Sequence, residues 1–400
     1  MNRLFNLGVC LLVFYNSVAQ NTDSSDVSVG QLLALRPTEK LKIDGDIGLI
    51  TTFLNNSLIS NNYWTDDLIL NQVNNLNDVN RFGAFGGLST IYYSGKPSGL
   101  FYGLGYKNLN GGTSQKSILE AILKGNQNQP SIVLDRRNGF EQIGYGYVSL
   151  GREVFDTIKN RRIAVALNLY ARQQYTKFLG TSGSFEVDSS GEFLDVRDAD
   201  VLVLQDLSNP FESFGIGITM SYTQSVNDDL WSFKVEDFGV IRSSNMRTAM
   251  LNSSFTFDGF DVSSQIDNAG SLQLQDSLNQ NFFETDTSSD LRLMPFETSV
   301  QLLKSLGNNN ILDASLSYVN LVGFYPLLEA VYQQPFKGSK ANWRVGAQVG
   351  GFGNCGVNLG GEFPFGLGHI FTLNVAGLES LSSDNLPVYM YGKMGLKIQL

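Results

Sequence analysis

Cysteine and histidine are nearly absent from this chain. Two cysteines, Cys10 and Cys355, and one histidine, His369, occur in 400 residues. Cys10 lies in an N-terminal apolar run that reads as a cleaved leader, with no spacer before it to suit lipidation. The remainder keeps a single thiol and cannot form an intramolecular disulfide. A zinc site built on Cys355 and His369 would need two further Cys or His ligands, and none remain. Long apolar runs are also missing. Beyond the N-terminus no stretch approaches the ~18 apolar residues of a membrane-crossing helix, which excludes a helical membrane protein. Basic clusters are scarce as well: acids outnumber bases 38 to 28, for a net charge of −10. A nucleic-acid partner, which requires Lys and Arg gathered on one face, is therefore not expected.

What is present begins with Arg3, an almost wholly apolar stretch from Leu4 to Tyr15, and the small residues Ser17, Val18 and Ala19. This is the pattern of a secretory signal cleaved near Ala19–Gln20. The expected organisation is a signal peptide (1–19), a periplasmic segment (20–39) and one β-barrel (40–400). Glycine and aromatics are abundant, with 41 Gly, 27 Phe and 16 Tyr, a cue for close-packed β architecture.

The strongest signal is a two-residue rhythm. In Val388–Leu400, "VYMYGKMGLKIQL", the even positions are apolar or glycine while Lys393, Lys397 and Gln399 occupy odd ones. The same alternation runs through "KLKIDGDIGLITTF" (40–53), "RRIAVALNLYAR" (161–172), "SFGIGITMSYT" (213–223), "WRVGAQVG" (343–350) and "NCGVNLGGEF" (354–363). A period of two places the two sets on opposite faces of a strand. Strands of this kind, ~9–11 residues where they cross a bilayer, are those of outer-membrane barrels. About fifteen candidates occur, joined by short links such as 94–99, 226–229 and 307–310 and by long ones near 55–81, 109–139, 175–211 and 263–290. Bacterial single-chain barrels have an even strand number, so a missed strand within 175–211, or one merger, is expected. The fold class is all-β: a closed antiparallel transmembrane β-barrel of 14 to 16 strands with short loop helices. "TDDLILNQVNNLNDV" (65–79), capped by Thr65 or Asp66, and "SQKSILEAILKGN" (114–126) are the helical segments. A barrel this wide is not filled by wall side chains alone, and the loops at 109–139 and 55–81 are expected to close it in part.

The stretches "ILEAILKGN" (118–126), "YGYVSLGREV" with "RRIAVALNLYARQQY" (145–175), and "WSFKVEDFGVIR" (231–242) resemble a family of uncharacterised outer-membrane β-barrel proteins of Bacteroidota. The barrel outline is also similar to fatty-acid channels and to the shuttle barrel of type IX secretion. The resemblance implies a barrel and carries no function onto particular residues.

Catalytic and cofactor constellations are not expected. "GLGHIF" around His369 lacks the strand motif of outer-membrane phospholipases, and His369 reads as a turn or girdle residue. The acidic run 186–200 lacks the EF-hand spacing of a calcium loop. The candidate lumen-lining residues are the charges on polar strand faces: Lys42, Asp44, Asp46, Arg162, Arg172, Lys234, Glu236, Arg344, Glu362, Lys393 and Lys397. Their mixed signs fit either a lined conduit or a structural network. The expected function is passage of small or hydrophobic solutes across an outer membrane. The alternative is a non-conducting barrel serving as scaffold in a cell-surface or secretion assembly. Outer-membrane lipid and the barrel-assembly machinery are the implied partners.

Overall fold

The structure is a computed structural model. It describes residues 39–55, 65–94, 99–124, 131–156, 158–187, 194–209, 212–227, 229–257, 284–307, 310–336, 339, 341–353, 355–366, 369–377 and 387–399. The expected leader and its cleavage point fall outside the described residues.

Alternation dictates the architecture. The first half of the wall contains β1 (Glu39–Asn55), β2 (Val79–Tyr93), β3 (Leu100–Gln115), β4 (Ser131–Asp156), β5 (Arg161–Val187), β6 (Leu194–Asp206), β7 (Phe214–Val226) and β8 (Asp229–Phe257). The second half contains β9 (Glu284–Leu293), β10 (Glu297–Gly307), β11 (Asn310–Val319), β12 (Tyr325–Pro335), β13 (Asn342–Gly351), β14 (Cys355–Phe365), β15 (His369–Ala376) and β16 (Pro387–Gln399). All pairings are antiparallel, and β16 closes the sheet on β1 through Asp44↔Gly395 and Asp46↔Lys393.

Sixteen segments make fourteen staves. β6 pairs with the upper part of β5 (Thr176↔Gln205), and β7 pairs with its lower part (Leu167↔Ile218). These two segments form one stave interrupted between Asp206 and Phe214. β9 and β10 likewise share β8, at Met250↔Glu284 and Glu297↔Glu236, with a break between Leu293 and Glu297. The link near 175–211 holds the strand expected within it: β5 runs on to Val187 and returns as β6. The even stave number leaves both described ends of the chain on the side of the short turns.

The two sides of the wall differ as the alternation requires. Ile47, Leu88, Leu104, Leu150, Leu167, Ile216, Val357 and Met394 are apolar and exposed on the outside. Aromatic bands bound this surface. Phe82 contacts both Phe53 and Phe140 toward the long-connection end. Tyr92, Tyr102, Trp231, Phe365 and the Tyr332–Trp343 pair lie toward the short-turn end. Phe82 and Tyr92 are ten positions apart on β2. At about 3.3 Å per residue and a tilt of about 40° this separates the bands by about 25 Å, the height of a hydrocarbon belt. β4, β5 and β8, with 26, 27 and 29 residues, run well past the upper band.

Two helices stand at the long-connection end, α1 (Asp66–Asn74) and α2 (Lys116–Lys124). Thr65 caps α1 by accepting from the Leu68 amide at 3.4 Å. Val73 and Leu76 pack with Leu119 of α2 and with Phe53 of β1. Phe53 shares the parity of exposed Ile47 and Leu49, so the helices are seated on the rim.

Candidate functional site

The register resolves the inner wall into tiers. One runs Arg344–Gly360–Asn374–Lys393–Asp46 and continues through Gly87, Lys107 and Tyr145. Below it, toward the short turns, lies Glu362–Thr372–Gly395–Asp44–Ser89. Above it the tier is apolar: Ala376–Tyr391–Gly48–Phe85–Leu109–Ile143. The strand alternation thus selects the inward residues, and the stagger of neighbouring strands sorts them into a polar middle under an apolar collar.

The collar is sealed from the opposite side of the barrel. The turn between β11 and β12 carries Leu321 and Phe324, and the turn between β13 and β14 carries Phe352. Leu321 and Phe352 form a buried cluster with Ile50 and Ala376, joined by Phe85, Leu109, Phe324 and Tyr391. Phe352 is 2% exposed and meets Phe324 edge-on at 5.2 Å and 85°. The seat on the far wall is the paired Gly83 and Gly111. A Cβ on Gly83 would overlap the Phe352 ring, and one on Gly111 would lie 2.9 Å from Leu321 Cγ. Arg81 of β2 stacks on the Tyr325 ring, 3.8 Å from its centroid, beside this seat. No residue of α1 or α2 belongs to the cluster that spans the lumen. The closure expected from 55–81 and 109–139 is, among the described residues, made by 321–325 and Phe352.

Below the seal the interior divides in two. On the β3–β8 side it is filled. Asp237 accepts from Lys107 Nζ at 2.6 Å, Tyr145 OH at 3.0 Å, Tyr170 OH at 3.1 Å and Asn168 Nδ2 at 3.3 Å. A bulge makes this possible. The β7–β8 register slips between Ile218 and Met220, and Asp237 takes φ 57°, so Glu236 and Asp237 both serve the interior. Lys234 pairs with Glu236 at 2.6 Å. Tyr145 and Tyr170 pack edge-on at 5.6 Å, within an apolar cluster with Ile143, Ile241 and Met246.

On the side of β10–β16 and β1 a cavity of about 300 Å³ remains. It extends from Lys397 and Glu362 near the short-turn end up to Ala376 and Tyr391 beneath the seal. Its wall includes Lys42, Asp44, Arg344, Glu362, Lys393 and Lys397, all named by strand parity, and also Asp313, Glu329 and Asn358. Lys42 pairs with Asp44 at 2.6 Å. Arg344 pairs with Asp313 at 2.9 Å and reaches Glu362 at 3.8 Å.

The other named charges lie elsewhere. Asp46 is folded over Gly87, where a Cβ would lie 2.5 Å from its Oδ1. Arg162 pairs with Glu153 near the short-turn end. Arg172 is buried in the wall, ion-paired to Asp206 at the break between β6 and β7. There Ser213 Oγ also donates to Asp206, at 2.9 Å. Sequence reading missed Lys107, Asp237 and the chamber acids Asp313 and Glu329. Lys107 follows the parity of β3 and was legible. Asp237 was legible only as an oddity, a second acid directly after Glu236 on a strand.

Where the strands run past the membrane-spanning part of the wall, hydrogen bonds hold carboxylates below their ordinary range, Asp135 and Asp195 among them. Arg137 donates to Asp135, and Thr256 and then Arg197 donate to Asp195. Among the described residues no group of three or more His, Cys, Asp and Glu side chains is placed to hold a metal. His369 opens β15, 5.4 Å from the Phe365 ring.

No family model matches the chain and no curated protein matches it in sequence, so the resemblance to the Bacteroidota family has no support. Solved structures similar in shape are outer-membrane barrels. The toluene transporter TodX of Pseudomonas putida is 8% identical, with 92% of this chain and 90% of that one covered and a TM-score of 0.43. The toluene transporter TbuX of Ralstonia pickettii is 9% identical, with 92% of each covered and a TM-score of 0.40. The translocator domain of the autotransporter NalP of Neisseria meningitidis is 9% identical, covering 100% and 96%, with a TM-score of 0.33. The closed fourteen-stave architecture stands on the strand pairings themselves.

Proposed function

We propose that this chain is an outer-membrane barrel for the passage of small polar solutes, in a closed conformation. The outer-membrane placement is supported by the apolar exterior and its two aromatic bands about 25 Å apart, dimensions that match a hydrocarbon core. The observation that carries the passage reading is the chamber of about 300 Å³ running from the short-turn end to the underside of a thin seal. A barrel meant only as a wall has no use for a hollow lined by eight charged side chains, since each costs desolvation. The lining also decides the solute class. It is charged and amide-rich, and the apolar cluster around Tyr145 and Ile143 is packed solid, so polar solutes fit better than hydrocarbons.

A second reading, a non-conducting scaffold, draws on the filled half of the interior and on the seating of Phe352 over Gly83. Neither reading includes an enzymatic step. Outer-membrane lipid and the barrel-assembly machinery are the partners it requires. The test is swelling of proteoliposomes, with planar-bilayer conductance alongside. Solute entry that grows when the seal is weakened supports passage. A barrel that passes nothing with the seal removed is a scaffold.

A further inference from the structure

The charges of the chamber are sorted by strand, and the sorting defines a ligand. Asp313, Glu329 and Glu362 stand on β11, β12 and β14, with Arg344 of β13 among them. Three acids and one base give this side a formal charge of −2. Lys393 and Lys397 of β16 and Lys42 of β1 stand opposite, with Asp44 beside them. Three bases and one acid give that side +2. Glu362 and Lys397 are two strands apart, so the two poles are separated by about 9–10 Å of wall. Side chains that lean inward shorten that gap.

Internal pairing leaves part of this lining unused. Asn358 is 7% exposed and spends its amide N–H on Glu329, while its Oδ1 has no partner. Arg344 commits both terminal nitrogens to acids, and its Nε has none. Lys393 makes no hydrogen bond or ion pair with the described residues. Its register partner Asp46 is turned away over Gly87. A buried unpaired acceptor and donor are costly features; both belong to residues that line the cavity, and the two atoms themselves are closed off from it as the side chains stand.

We infer that the chamber is a binding site for short zwitterions whose ammonium and carboxylate stand about 6–10 Å apart, the size of di- and tripeptides or ω-amino acids. The carboxylate meets Lys393 and Lys397. The ammonium meets Glu362 and Glu329. A volume of about 300 Å³ is at the lower edge of the ~300–1,000 Å³ typical of small-ligand pockets. A single α-amino acid, with its charges about 3 Å apart, is too short to reach both poles. The assignment rests on the passage reading and names its solute.

Calorimetric titration of the purified barrel in detergent tests it, with triglycine as the probe. N-acetyl-triglycine, triglycine amide and glycine serve as comparisons. Triglycine binds saturably, and each capped form and glycine bind about tenfold weaker or less, a loss of about 1.4 kcal/mol or more. Lys393→Gln loses the preference for triglycine over its amide, and Lys393→Arg keeps it, which separates charge from folding. Equal binding of capped and uncapped forms, or no saturable binding by a barrel that does swell with neutral sugars, overturns the site and leaves passage standing. Saturable triglycine binding by a barrel that passes nothing keeps the site and overturns passage.

Discussion

Replacing Phe352 by Ala removes the ring that holds the seal against the far wall. The ring is 2% exposed and rests on Gly83, Ala376 and the edge of Phe324. Truncation of a fully buried Phe costs about 3–5 kcal/mol. A turn at the edge of a water-filled lumen relaxes more readily than a core, so the lower figure applies. About 3 kcal/mol shifts the closed-to-open ratio roughly 100-fold. A barrel open for about 0.1% of the time, an ordinary minor-state population, becomes open for about 10%. Macroscopic conductance in a planar bilayer should rise by a comparable factor, while heat-modifiability on gels confirms an intact wall. Gly83→Ala reaches the same end by another route, because its new methyl group would occupy the volume of the ring. The two changes share one contact and should not add. In the Phe352→Ala background the Gly83→Ala methyl enters vacated space, and conductance should change little further. Unaltered conductance in Phe352→Ala, or strict additivity of the pair, would refute the assignment of the seal.

Arginine at Leu167 or Ile218, which are exposed on the apolar exterior, should destabilise the barrel by about 2–4 kcal/mol near the midplane. Arginine at Thr372, which faces the chamber, should do far less; urea unfolding from vesicles that finds equal losses would contradict the parity. Asp237→Ala strands Lys107 in the interior without its 2.6 Å partner and should cost about 3–5 kcal/mol, seen as a lower unfolding temperature; a wild-type transition would deny the bulge its role. Asp135 and Asp195 titrate below their unfolded values, so their stabilisation is present above about pH 3.9. It is lost as pH falls through the lower folded values. Protection of the amides around these residues, each rate referred to the intrinsic exchange rate at the same pH, should fall below that point and stay flat between neutral pH and 5.

How much of this was legible depended on whether one strand or several were needed to see it. Parity within a strand sufficed for six of the eight chamber charges, because residues such as Lys393 and Lys397 sit opposite Met394 and Leu396 whatever the neighbours do. The helix at 66–74 was equally local, announced by Thr65 and an apolar stripe. The broken staves were not legible. "VLVLQD" and "FGIGITM" are each good strand sequences, and only their common partner β5 makes them one stave. The seal was invisible for a related reason. "NLVGFY" looks like an ordinary turn, and its seat is a pair of glycines more than two hundred positions away. The bulge at Asp237 lay between these cases, since two adjacent acids on a strand conflict with any strict period of two.

The seal also has a consequence in time. Residues 320–324 link β11 to β12 as a five-residue turn, clamped at both ends by paired strands. A tether that short has few internal torsions and cannot swing clear of the lumen as a long lid does. Motions of such segments run on the nanosecond-to-microsecond scale, so each excursion away from Gly83 ends almost as soon as it begins. Current through the barrel should arrive as flicker, many brief openings filtered into excess noise above the closed level, in place of long stable plateaus. The mean current then reports how often the turn lifts, and the width of the noise spectrum reports how quickly it falls back.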